Sequence, residues 1–262
     1  MVFSYYPGCT LRTKAKELDA FARRSAKALG IELVEIPDWQ CCGGVYPTAS
    51  DAIAPRLASV RALMAARDAG TPLVTVCSAC YNVIKRVNED MKNDPEIRDR
   101  VNRYMQNEIP YEGEVKVYHY IEVLRDIIGY DELAKKVVNP LKGQKIGGYY
   151  GCLLLRPGKE LGFDDPENPE AIEGLIKALG AQPVKYAQRN ECCGGYVTLE
   201  DRAFAGKRSR IVTASASGEG AESLITACPL CMYNLKVNGG GELPVYYFTE
   251  LLARALGVAE EN

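Results

Sequence analysis

Ten cysteines in 262 residues fall into two sets of five with the same internal order. No other feature restricts the fold of this chain so tightly. Each set reads a single cysteine, then Cys-Cys-Gly-Gly, then Cys-x-x-Cys. The first is Cys9, Cys41, Cys42, Cys77 and Cys80; the second is Cys152, Cys192, Cys193, Cys228 and Cys231. The pair and the final motif are 34 residues apart in both halves, whereas the first cysteine and the pair are separated by 31 residues in one half and 39 in the other. Ala28-Leu29-Gly30 and Ala178-Leu179-Gly180 precede the pairs, and Tyr81-Asn82 and Lys85 are echoed by Tyr233-Asn234 and Lys236. Residues 117–124 resemble residues 245–252. A self-similar pattern of this extent marks a duplicated structural unit. Asn139-Pro140 and Gly143 break local pattern between the copies, which places the expected domains at 1–140 and 141–262.

Composition narrows the function classes. The formal charge of −2 provides no basic field for nucleic acid. No apolar run approaches the roughly 20 residues that span a bilayer, and the first residues lack the basic start and apolar stretch of a signal peptide. A cytosolic protein without direct membrane insertion is expected. Structural disulfides are disfavoured in that compartment, so the cysteines point to metal binding or thiol redox chemistry. With a single histidine, His119, the donor set is one of soft thiolates, as in iron–sulfur clusters or structural zinc.

Apolar strand-like runs at 2–6, 33–36, 72–76 and 115–118 alternate with helical spacing at 15–29, 52–69 and 81–106, and a further helix begins at 121. The second half repeats this scheme, with strands at 145–150, 183–186, 223–226 and 245–248. The alternation predicts an α/β fold of two pseudo-symmetric Rossmann-like halves, each a mainly parallel sheet flanked by helices. On that scheme the single cysteine follows the first strand, the pair follows the second and Cys-x-x-Cys follows the third. Ligands bind beyond the carboxyl ends of parallel strands, so all five thiols of a set can converge there.

The chemistry needs these residues at these spacings. Thiolates require electropositive surroundings, which a helix N-terminus supplies at Cys-x-x-Cys. Adjacent cysteines on a strand point to opposite faces, so Gly43-Gly44 and Gly194-Gly195 are expected to turn the backbone sharply. Five ligands exceed the four of a closed zinc site, although zinc in one half stays open, as does a thioredoxin-like redox role for Cys-x-x-Cys. His119 reads as structural, since its counterpart is Tyr247. Trp39 reads as packing, and the charge-rich stretch 88–103 as a solvated helix face. Gly147-Gly148 open no nucleotide-binding fingerprint.

The doubled pattern resembles the cysteine-rich CCG domain, and a chain of this length carrying two copies resembles the B-type subunit of heterodisulfide reductase. The resemblance implies one component of an oxidoreductase that acts on a sulfur group. It implies a noncubane [4Fe–4S] cluster on each set, with Cys42 or Cys193 as bridging ligand and a disulfide or thiol substrate between the clusters. It also implies an electron-donating ferredoxin-like iron–sulfur subunit, the C-type partner, fed by a flavin subunit, the A-type partner. The chain has no ferredoxin-type Cys-x2-Cys-x2-Cys run of its own. One histidine follows the first cysteine of the second set in the methanogen proteins, and another follows the second Cys-x-x-Cys. Here those positions are Leu153 and Met232, which leaves the clusters in place and the substrate open. A non-catalytic electron-relay subunit and a zinc-stabilised interaction module are the other two readings.

Overall fold

Two four-stranded sheets, each wholly parallel, carry the repeat. The computed structural model describes residues 1–44, 50–106, 108–241 and 243–260. In the first sheet β1 (Val2–Tyr5), β2 (Glu32–Glu35), β3 (Leu73–Thr75) and β4 (Val117–His119) lie in the order β2-β1-β3-β4. In the second, β5 (Lys145–Tyr149), β6 (Gln182–Val184), β7 (Ser223–Thr226) and β8 (Val245–Tyr247) lie in the order β6-β5-β7-β8. Parallel pairing demands a crossover after every strand. In the first half the crossovers are α1 (Cys9–Thr13), α2 (Lys16–Ala28), α3 (Ala54–Asp68), α4 (Ser78–Asn93) and α5 (Pro95–Met105). After β4 come α6 (Tyr120–Glu122), a π-helical segment (Val123–Ile128) and α7 (Tyr130–Lys136). The second half uses α8 (Gly158–Leu161), α9 (Ala171–Ala178), a 3-10 turn (Gly195–Val197), α10 (Arg202–Gly218) and α11 (Pro229–Asn238), and ends on α12 (Phe248–Ala255).

The central strands are buried on both faces, as in the run Leu73–Thr75. The registers Tyr5↔Glu35 and Tyr5↔Val74 set the carboxyl ends of β1, β2 and β3 side by side. Strand order reverses between β1 and β3, which opens the crevice where such sheets bind ligands. Gly147 and Gly148 lie inside β5. A Cβ on Gly147 would meet Leu224 at 2.8 Å and one on Gly148 would meet Ile172 at 3.0 Å, so these glycines admit close packing on the sheet.

The continuous helix expected over 81–106 is two helices. Pro95 offers no N–H to the preceding turn and disfavours helical backbone at Asp94. Asp94 is extended, at φ −115°, and its side chain accepts from Ile97 N to cap α5. The first of the two helices also begins earlier than expected, at Ser78. Along 88–103 the polar face is interrupted by buried Asn88, Met91 and Val101.

Each half lends its last helix to the other. The α12 helix packs on α2, with Thr249 Oγ1 donating to Leu18 O at 3.0 Å. Reciprocally, α6, the π-helical segment and α7 pack on α9. Tyr130 donates to Ala171 O at 2.5 Å, and its ring rests where a Cβ on Gly174 would stand. One apolar core therefore runs from Phe3 and Phe21 through Tyr120 and Leu124 to Phe248 and Leu252. Among the described residues no helix is long and apolar enough to cross a membrane.

Candidate metal centre

The carboxyl ends of three strands bring together all five cysteines of each set. Cys9 opens α1, directly beyond β1, and Cys41 and Cys42 lie beyond β2. Cys77 caps α4 and Cys80 sits in its first turn; Cys228 and Cys231 occupy the same places on α11. The sulfurs form an arc. Cys9 Sγ and Cys41 Sγ are 3.5 Å apart, and Cys42 Sγ and Cys80 Sγ are 3.6 Å apart. Cys42 also interacts with Cys41, and Cys80 with Cys77. In the second half the order is the same: Cys152, Cys192, Cys193, Cys231, Cys228, with 3.5 Å between the Sγ atoms of Cys193 and Cys231. All ten thiols are free, at separations far beyond the roughly 2.05 Å of a disulfide.

Glycine makes the approach fit. Gly8, at φ +80°, precedes Cys9, and a Cβ there would stand 2.7 Å from Cys80 Sγ; Gly151, at φ +63°, precedes Cys152 and would meet Cys231 Sγ at 3.2 Å. After the pairs, Gly43, Gly44 and Gly194 take positive φ, the sharp turn that adjacent cysteines require. Gly194 N donates to Cys192 Sγ at 3.3 Å.

Sequence reasoning missed the tyrosines that hold these turns. Tyr6 donates to Gln40 O at 2.5 Å and Tyr149 to Glu191 O at 2.7 Å. Each thereby fixes the carbonyl immediately before a cysteine pair. The signal was available, because each tyrosine stands within two residues of the glycine that precedes the first cysteine of its set. In the second half Asn234 Nδ2 and Ser209 Oγ donate to Cys193 O, at 2.7 and 3.2 Å. Trp39 packs edge-on against Tyr6 with ring centroids 5.3 Å apart and donates to Glu35, a structural role as expected.

The thiols share charge unequally. Hydrogen bonds from Cys41 and then Cys80 pull the Cys42 thiol down to about 3, while Cys41 and Cys80 are pushed up. Hydrogen bonds from Cys152 and Cys193 pull Cys192 down to about 2, with help from Gly194 N and the Arg208 charge. Cys193 is pushed up to about 12, chiefly by its hydrogen bond to Cys192. Cys228 is lowered by its bond from Cys231 and by the backbone N–H groups of Cys231, Leu230 and Ala79. Each arc thus favours some thiolates and loads their protons on neighbours, which bound metal would displace. Among the described residues no three His, Cys, Asp or Glu side chains enclose a single-ion site. An arc of five sulfurs is longer than one tetrahedral ion needs, and its donor set fits a multi-iron cluster.

The two arcs abut. Ser78 donates to Ala227 O through both N and Oγ, at 3.0 and 2.8 Å. Tyr196 joins the two Gly-Gly turns by donating to Gly44 O at 2.8 Å. His119 and Tyr247 cap the helices after β4 and β8. His119 is fully buried, which lowers its imidazole to about 3; its Nδ1 accepts from Ile121 N, and its Nε2 faces the Val76 and Ala227 carbonyls outside hydrogen-bonding geometry.

Comparison with known proteins matches residues 3–85 and 146–236 to the cysteine-rich CCG domain. The chain is 32% identical to the 8-methylmenaquinol:fumarate reductase membrane anchor subunit of Wolinella succinogenes, over 98% of this chain and 92% of that protein. It is 28% identical to the B-type subunit of the ferredoxin/F(420)H(2)-dependent CoB-CoM heterodisulfide reductase of Methanosarcina acetivorans, over 99% and 90%. To a heterodisulfide reductase B-type-subunit-like protein of Archaeoglobus profundus it is 27% identical, over 99% and 92%. A hypothetical protein from Helicobacter pylori has the same fold at a TM-score of 0.77 and 14% identity; all of this chain aligns, with 49% of that one. The alternating strands, the paired parallel sheets and the doubled cysteine arcs have one common explanation: this chain belongs to the cysteine-rich CCG domain family, in the tandem form found in the B-type subunit of heterodisulfide reductase.

Proposed function

We propose that this chain is the iron–sulfur electron-transfer component of an oxidoreductase complex, and that it reduces a disulfide. In this reading domains 1–140 and 141–262 each hold one noncubane [4Fe–4S] cluster, on the first and second cysteine sets respectively. Such clusters, when bound, supply one electron each. A disulfide takes up two electrons and two protons to give two thiols, so two adjoining one-electron centres match its demand. The observation that carries the reading is the contact of the strand ends that present the two arcs, in which Ser78 of one half donates through N and Oγ to Ala227 O of the other. The protein's own contribution is to place them. Ser78 and Tyr247 lock the strand ends together, while Gly8 and Gly151 keep the last cysteine of each set close to the first. In this reading the electrons come from a ferredoxin-like subunit supplied by a flavin subunit; one relative is itself named as ferredoxin-dependent.

A second reading, an electron relay whose partner performs the terminal chemistry, is favoured by the likeness to the fumarate reductase subunit and by Leu153 and Met232 beside the cysteines. One anaerobic preparation tests both. About eight irons per chain, as two four-iron clusters, with reduction of a panel of disulfides by an artificial donor, supports the first. Intact clusters with no disulfide turnover select the relay. One zinc per set and no iron removes both.

A further inference from the structure

The duplication is broken between the first cysteine and the pair, and this break leaves a cavity. Between Cys152 and Cys192 the second half has 39 residues against 31 in the first, eight more, and α8 lies in that longer stretch. It covers the face of α4 that follows Cys80. Tyr81, fully buried, donates to Leu161 O at 3.0 Å, and Asn82 donates to Leu153 O and Arg156 O, both at 2.8 Å. Among the described residues the corresponding face of α11 has no such cover. Counted from the cysteines, Met232 stands where Tyr81 does and Tyr233 where Asn82 does; Tyr233 is 57% exposed. A groove of about 490 Å³ runs between this face and the start of α2.

Its lining is amphipathic and cationic. Leu18, Leu230 and Met232 give it an apolar floor, and Lys14, Lys16 and Lys236 stand around it together with Glu17. All three lysines are exposed, and none has a carboxylate partner among the described residues, where Lys135 and Lys185 do. The groove touches both cysteine sets through its neighbours. Thr10 lines it, with its hydroxyl 3.9 Å from Cys9 Sγ, and Pro229 and Leu230 line it from between Cys228 and Cys231. A cavity of a few hundred Å³ with an apolar wall and a few convergent charges has the size and make-up of a small-molecule site.

We infer that this groove binds a small organic anion, its charged group held by Lys14, Lys16 and Lys236 and its apolar body against Leu18, Leu230 and Met232, beside Cys9. As the seat of the substrate's charged end, it rests on the function proposed above. The site is one-sided with respect to the duplication: α8 lies against the symmetry-related face of α4.

The test titrates butanesulfonate, phenyl phosphate and neutral 1-butanol into the anaerobic, cluster-loaded protein by calorimetry. The two anions bind and 1-butanol does not. Their Kd rises with salt, because exposed lysines are screened. Lys14→Gln with Lys236→Gln weakens both anions at least tenfold, whereas Lys14→Arg with Lys236→Arg retains binding. Equal Kd in wild type and the glutamine variant, or no binding to wild type, overturns the inference. Lysine-dependent sedimentation with phosphatidylglycerol vesicles but no uptake of soluble anions also overturns it, and assigns the lysines to a lipid surface. Iron content and paramagnetic spectra on the same samples separate the two readings. Intact clusters without anion binding reject the groove alone, and anion binding without iron rejects the cluster function alone.

Discussion

Tyr247 donates to the carbonyl of Val76 at 2.6 Å and to that of Ala227 at 2.9 Å. Val76 and Ala227 immediately precede Cys77 and Cys228, so one phenol ties together the strand ends that present both Cys-x-x-Cys motifs. Tyr247→Phe keeps the ring and removes the tie. The Val76 carbonyl then loses this donor in the buried interior, whereas Ala227 keeps Ser78. The expected loss is about 1–3 kcal/mol of stability, read as a lower denaturation midpoint. An unchanged midpoint would show that the tie contributes nothing.

Cys193 and Cys42 are the buried members of their pairs. Cys193→Ala should remove the second cluster's signal and halve the iron from about eight to about four per chain. Cys42→Ala should do the same to the first. Loss of both signals from either single substitution would mean that the sites do not assemble independently.

Gly8 and Gly30 separate a backbone effect from a site effect. Both have positive φ, near +80° and +74°, but a Cβ on Gly8 would strike Cys80 Sγ while one on Gly30 would meet nothing within 4 Å. Gly30→Ala should cost about 1 kcal/mol of stability with full iron content. Gly8→Ala should lose the first cluster preferentially. Equal iron in the two variants would contradict the tight approach of Gly8 to Cys80.

Glu122 makes stability depend on pH. Burial raises its carboxyl from 4.5 to about 7, against the opposing hydrogen bond from His119 N and the charge of Lys85. The folded state therefore holds a proton that the unfolded state releases between these values. Stability from this group is fully present below about pH 4.5 and is lost as pH rises to about 7, in all on the order of 3 kcal/mol. Glu122→Gln should flatten the melting-temperature profile across that window. A variant that keeps the wild-type slope would place its origin in another group.

Much of the site was legible because cysteine spacing and strand–helix alternation are local quantities. Once Cys9, Cys41, Cys42, Cys77 and Cys80 each follow a strand of one parallel sheet, their convergence needs no distant information. The break at Pro95 was also written in the residues, since a proline inside a helical pattern ends it, yet the charge-rich pattern on either side masked it. The echo of Tyr81-Asn82 by Tyr233-Asn234 misled. It is one residue out of step with the cysteines, and one residue on a helix is a rotation of roughly 100°. Tyr233 thus takes the register of Asn82, not of Tyr81; Asn82 is buried beneath the α8 segment and Tyr233 is exposed.

By itself the sequence determined that this protein is a duplicated parallel α/β unit with five thiols at the carboxyl edge of each sheet. Repeat spacing, turn glycines and helix starts act within a few residues or within one half. Only the tertiary structure decided that α12 covers α2, that α7 covers α9, that Ser78 reaches Ala227 and that α8 fills one groove and leaves its counterpart open. Those choices depend on which apolar faces fit each other across the two halves, and the complementarity of surfaces distant in sequence leaves no periodic trace along the chain.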